Sequence, residues 1–224
     1  MALVLNIETA TTNCSVSLSK DGETLVLKED NSSGYSHAEL LHVFIKEVFS
    51  SANVDASSIN AVAVSKGPGS YTGLRIGVST AKGLCYALDK PLISISTLES
   101  LAHQVKVEEG LIIPMLDARR MEVYSAIYAS NFEQIRAIEA EVLTSESYAD
   151  ILKDNKVYFV GSGVEKTKTI IQHPNAVFIE GKLPSANEMA SLSNLKYKKS
   201  DIEDVAYFEP YYLKDFVAIK AKGN

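Results

Sequence analysis

Residues 66–73, Lys66-Gly67-Pro68-Gly69-Ser70-Tyr71-Thr72-Gly73, are the first place to look for chemistry. Glycines beside an expected helix start let an anion come close to bare N–H groups, which suits a phosphate. The spacing is GxGxxxG, so it is neither a P-loop, which needs Gly-Lys-Ser/Thr, nor the dinucleotide fingerprint. A tight strand-to-helix turn accounts for the same residues without a ligand. Glu8, followed by Thr9, ends the first apolar segment, and Asp117 ends a later one beside Arg119 and Arg120. Polar residues at the carboxyl ends of strands line the crevice of α/β folds. For Asp117 the competing reading is a turn cap paired with an arginine. Lys196, Lys198 and Lys199 form a basic cluster. It is either a solvated face or a contact for a nucleic-acid backbone held mainly by something else.

Other catalytic groups are sparse. His37 and His42 are five apart, so they miss the i, i+4 spacing of a helical zinc pair. His103 and His173 have no Cys, His or carboxylate at ligand spacing. Cys14 falls in an expected strand and Cys85 on an apolar helix face, where each reads as a small hydrophobe. There is no GxSxG nucleophile turn and no CxxC.

The elements that must position these residues alternate strand and helix. Strands are expected at 3–8, 15–20, 23–28, 61–65 and 91–95, with Asp21-Gly22 as a hairpin turn. Helices are expected at 36–52, 72–88 and 97–106. In the second half, strands are expected at 111–116, 122–128 and 157–160, and a helix at 145–153. Ser185-Ala186-Asn187-Glu188 has capping-box spacing, so another helix should begin there. Glu108-Glu109-Gly110 interrupts the pattern and suggests two α/β lobes, residues 1–107 and 108–224.

Lys plus Arg number 22 and Asp plus Glu 28, a net charge of −6. That argues against a dedicated nucleic-acid binder, which needs clustered cations. Hydrophobic residues at 46% and charged residues at 22% fit a globular chain. No apolar run approaches the ~20 residues of a membrane helix. The first residues lack a basic region before Glu8 and do not read as a signal peptide, so a cytoplasmic location is expected.

The two long helices carry more apolar surface than one sheet face requires. Leu40, Leu41, Phe44, Ile45, Val48 and Phe49 cover an arc of roughly 180° on a helical wheel, where ~100° suffices. In the next helix Leu74, Val78, Ala81, Leu84, Cys85 and Leu88 form one face, with Ile76 and Ala87 on another. The surplus means either a helix sunk in the core or an association face.

Several stretches carry a resemblance. They are Ile7-Glu8-Thr9-Ala10-Thr11, Ser36-His37-Ala38-Glu39-Leu40-Leu41, and Gly67 to Gly77. Asp117-Ala118-Arg119 with Glu122-Val123-Tyr124, and Pro210-Tyr211-Tyr212-Leu213, complete the set. Together they resemble the TsaB family, accessory subunits of the bacterial tRNA threonylcarbamoyladenosine machinery. The resemblance implies a two-lobed actin/Hsp70-like (ribonuclease H-like) α/β fold, with mixed sheets flanked by helices and a reduced second lobe. It implies no catalytic residue and no metal. Thr97 and Leu101 stand where the catalytic relative carries its histidine pair, and neither can ligate a transition metal. Glu8, Thr9, Gly67 and Gly69 would be a vestigial phosphate loop, and Gly161-Ser162-Gly163 a remnant of the second. The implied interface with the catalytic (TsaD-like) subunit is Leu41, Phe44, Ile45, Val48, Arg75, Val78, Lys82 and Cys85. The chain alone would form a homodimer through the same helices. A TsaE-like ATPase subunit would join, ATP and metal would sit in the partner subunits, and tRNA would be met indirectly. The C-terminal tail is expected to be free to return to the first lobe. The rival reading is a metal-independent nucleotide-binding enzyme or a peptidase-like protein of the same fold.

Overall fold

The computed structural model describes residues 1–31 and 37–214. Ser36, the expected start of the first long helix, lies outside them. β1 (Leu3–Glu8) and β2 (Cys14–Lys20) pair antiparallel, and Asp21-Gly22, both at positive φ, turns the chain into β3 (Glu23–Asp30). Then come α1 (His37–Ala52), β4 (Ala61–Gly67), α2 (Tyr71–Leu88), β5 (Leu92–Ser96) and α3 (Thr97–Ala102). The strands are ordered β3-β2-β1-β4-β5, with β4 parallel to both β1 and β5.

A second sheet is built from β6 (Leu111–Asp117), β7 (Glu122–Ala129), β8 (Gln134–Val142), β9 (Val157–Val160) and β10 (Ala176–Ile179). Its helices are α4 (Ala149–Asp154) and α5 (Val164–Ile170). Its order is β10-β9-β6-β7-β8. Counted from its own first strand, this is the order of the first sheet, so the two lobes are topological repeats.

Burial on both faces explains why β1 is nearly all apolar. Leu5 and Ile7 share a core with Leu41, Ile45 and Val48 of α1 and Val78, Ala81 and Cys85 of α2. Val4, Ala63 and Ile95 pack instead with Ala186, Met189 and Leu192 of α6 (Ala186–Lys198). This corrects the lobe boundary, because α6 covers the first sheet although it lies within 108–224. Buried hydroxyls fix its placement: Ser17 donates to the Ala186 carbonyl at 2.7 Å, and the Ala186 N–H donates to Ser15 at 3.0 Å. The α6 start is where the capping-box spacing places it. Ser185 Oγ, however, accepts from Asn187 N–H and donates to Glu29, so the reciprocal box does not form.

The tail also returns to the first lobe. Glu203 bridges to Leu92, and the Ser94 hydroxyl donates to its carboxylate at 2.5 Å. Lys82 donates to the carbonyls of Ala206 and Phe208, and Tyr211 N–H donates to the Lys66 carbonyl at 2.7 Å.

Four elements were not expected: the short 3-10 helix Ala56–Ser58, β8, α5 and β10. β8 is an edge strand with Ile135 and Val142 mostly exposed, so its alternation separates core from solvent poorly. Two expected helices are shorter than their patterns. The one at 97–106 stops at Ala102, where the chain turns through His103, and the one at 145–153 is confined to α4.

Candidate functional site

Glu8 ends β1 with its carboxyl fully buried. Oε1 accepts from Ala10 N–H at 2.6 Å and from the Ser65 hydroxyl at 2.8 Å. Oε2 is buried without a hydrogen-bond partner among the described residues. Burial pushes the carboxyl up to about 7, against the pull of the Ala10 N–H, the Ser65 hydroxyl and the Thr9 N–H. It is a half-satisfied acid sealed from solvent.

The loop after Glu8 is held from both sides by its own chain. The Thr9 hydroxyl donates to the Gly73 carbonyl at 2.8 Å, and Ser70 N–H donates to the Ala10 carbonyl at 2.7 Å. From α1, His37 Nε2 lies 2.7 Å from the Thr11 carbonyl, and burial lowers the pKa of this ring. A neutral ring donating through Nε2 fits both facts.

The glycines of the 66–77 stretch make this closeness possible. A Cβ at Gly69 would sit 2.7 Å from the Ala10 Cβ, and at Gly67 2.8 Å from the Tyr211 carbonyl oxygen. At Gly73 and Gly77 it would collide with the Thr9 carbonyl and hydroxyl oxygens. The Gly73 N–H is itself taken by the Ser70 cap. Residues 9–11 thus pack directly against Gly69, Gly73 and Gly77, the close approach that a tight strand-to-helix turn requires.

In the second lobe, Asp117 pairs with Lys166 at 2.6 Å, not with an arginine. The Lys166 ammonium also donates to the carbonyls of Arg120 and Glu122, both at 2.8 Å. The turn it clamps holds Arg119 at φ 70° and Arg120 at φ 49°. Left-handed backbone costs roughly 1 to 2 kcal/mol for each non-glycine residue. Gly161 (φ 112°) and Gly163 pack against Met115, and Ser162 Oγ accepts from Asp117 N–H, so this stretch supports β6. Thr97 and Leu101 of α3 are fully buried. Among the described residues no three His, Cys, Asp or Glu side chains group as a metal site would require. Lys196 of the basic cluster is paired with Asp201 at 3.0 Å.

The helix residues proposed as an interface divide in two. Leu41, Ile45, Val48, Val78 and Cys85 are buried in the first lobe's own core, because they sit on the arc facing the sheet. That leaves them little or no surface for another chain. Lys82 holds the tail. Arg75 is exposed and donates to the Tyr71 hydroxyl at 2.7 Å. Phe44 is half-buried, as are Leu40 and Ile76, while Val43 is 46% and Tyr86 87% exposed. Gly83 lies on the outer side of α2, and a Cβ there would meet nothing. The outward surface is thus Leu40, Val43, Phe44, Ile76 and Tyr86. The wheel showed an excess of apolar residues but not which arc the sheet would claim.

Two repeated five-stranded α/β lobes, each with a loop at the end of its first strand, place the chain in the actin/Hsp70-like class. Within it, the profile of the family TsaD, tRNA N6-adenosine threonylcarbamoyltransferase, matches residues 31–222. The "tRNA threonylcarbamoyladenosine biosynthesis protein TsaB" of Escherichia coli is 28% identical, over 97% of this chain and 96% of that one. The protein of the same name from Buchnera aphidicola subsp. Baizongia pistaciae is 30% identical, over 89% and 93%. The solved structure titled "YeaZ from Pseudomonas aeruginosa" superposes with a TM-score of 0.82 at 28% identity, covering 95% of this chain and all of that one. The chain belongs to the TsaB family. No helix among the described residues is long and apolar enough to cross a membrane.

Proposed function

We propose that this chain is a non-catalytic subunit of the machinery that makes N6-threonylcarbamoyladenosine in tRNA. It pairs with the catalytic threonylcarbamoyltransferase subunit and supports that subunit's active form. One observation carries the reading: the loop that would cradle a phosphate is packed by its own Gly69–Gly77 segment, and the adjacent Glu8 is sealed. A nucleotide-using enzyme needs that space open and its acid in reach of substrate. The names of the relatives supply the pathway. The half-exposed Leu40, Phe44 and Ile76, with Val43 and the open Gly83, supply a surface of the kind that helix pairing uses. In this reading the chain works in the cytoplasm, self-pairs when alone, and binds no cofactor tightly. ATP and metal belong to the transferase and to an ATPase subunit.

Reconstitution tests the proposal. With transferase, ATPase subunit, tRNA and threonylcarbamoyl-adenylate, modification should depend on this chain. Undiminished modification in its absence would sink the idea. One observation favours the rival phosphotransferase: a Glu8 pKa near 7 suits a general base. Micromolar Mg-ATP binding by the isolated chain, with turnover lost in Glu8→Ala, would establish that rival.

A further inference from the structure

We propose that the Arg119–Arg120 turn contacts the phosphodiester backbone of RNA, an assignment that rests on the tRNA-modification reading. Both residues are exposed, and neither guanidinium has an ion-pair or hydrogen-bond partner among the described residues. The carboxylates that would repel a phosphate are taken up locally. Asp117 pairs with the nearly buried Lys166, and Glu122 pairs with Lys214 of the returning tail. The turn therefore shows two uncompensated positive charges on a chain whose net charge is −6.

The backbone is costly to hold and is held firmly. Two consecutive arginines lie in left-handed conformation, and Lys166 ties down both the Arg120 and Glu122 carbonyls. The Asp117 carboxylate accepts from Arg119 N–H at 2.6 Å, closing the turn from its other end. Strain kept in place by its surroundings is a pointer to function. A planar guanidinium matches a phosphate with two parallel hydrogen bonds. A protein partner would want desolvated apolar anchors around such arginines. The exposed apolar side chains beside the turn are Met121 and, opposite Glu122, Val142; neither is an aromatic anchor, which favours a ligand that binds in water by releasing counterions.

The experiment titrates fluorescently labelled, unmodified tRNA at several salt concentrations, reading anisotropy. It uses the chain assembled with the transferase subunit and the full chain alone. The variants are Arg119→Gln/Arg120→Gln and the conservative Arg119→Lys/Arg120→Lys. The Gln pair should weaken binding about tenfold and flatten the log K against log salt slope by about 1.5, two phosphates' share. Co-elution with the transferase should not change. The Lys pair should keep the slope and lose part of the affinity. Unchanged affinity and slope in the Gln pair would overturn the assignment. So would lost co-elution with tRNA binding intact, which would make the turn a protein contact. If the wild-type chain does not assemble with the transferase, the subunit reading fails. The titration of the chain alone then decides the arginine assignment, and no difference between wild type and the Gln pair overturns it.

Discussion

The Thr9 hydroxyl donates to the Gly73 carbonyl across 2.8 Å, joining residues 64 positions apart. It fastens the loop after β1 to the start of α2. The contact depends on glycine, because a side chain at position 73 or 77 would occupy the space of Thr9 oxygens.

Gly73→Ala should therefore destabilise the chain by about 1 to 3 kcal/mol, the usual range for overpacking a buried site. Urea unfolding of the isolated chain measures this. A loss below 1 kcal/mol would mean that the α2 start can move away from residues 9–11.

Gly83→Ala should do the opposite. Nothing lies near its Cβ position, so removing a helix-interior glycine should stabilise the isolated chain by about 1 kcal/mol. If the proposed partner's helix packs against this point, the same variant weakens pairing. A rise in melting temperature together with a weaker association constant is the expected pair of readings.

Phe44→Asp should abolish pairing with the transferase while the circular dichroism spectrum stays native, with a lowered melting temperature because Phe44 is half-buried against the core. Val78→Asp should unfold the first lobe, because that position is 4% exposed within the core. A folded Val78→Asp that fails to pair would restore Val78 to the interface.

Glu8 predicts a pH dependence with a definite sign. Its folded pKa, about 7, lies above the ordinary 4.5, so the folded state holds the proton more tightly. The stability this contributes is fully present below pH 4.5 and is lost as pH rises to 7. Referred to Glu8→Gln, wild type should lose on the order of 3 kcal/mol between pH 4.5 and pH 8. Denaturant midpoints of both proteins across that range give the difference, and parallel curves would refute it.

Lys82→Met should free the tail, since it removes donors to both the Ala206 and Phe208 carbonyls. Limited proteolysis should cut within residues 201–214 faster, with little change in global stability. An unchanged rate would show that Val205 and Phe208, which pack on the core, hold the tail without it.

The residues most legible in sequence are those buried on two faces. Leu3–Glu8, Leu111–Leu116 and Val157–Val160 read as strands because nearly every position is apolar. Gln134–Val142 did not, because an edge strand with solvent on one side shows only a charged alternation. The site was legible as a location but not as a state. The glycines at 67, 69 and 73 indicate close approach in any case, but not what approaches: Tyr211 of the tail at 67, and Thr9 and Ala10 at 73 and 69. The reach of α6 back to Val4 and Ile95 left no local signal, since packing between positions so far apart is not written in periodicity.

The placement of α6 has a consequence for the order of synthesis on the ribosome. The second lobe's sheet, from β6 to β10, is one uninterrupted stretch and can close as soon as Ile179 has left the exit tunnel. The first sheet emerges earlier, yet one of its faces stays bare until residues 186–198 are made. The lobe begun first is the lobe finished last. For that interval Val4, Ala63 and Ile95 are the surface on which a nascent-chain chaperone would act.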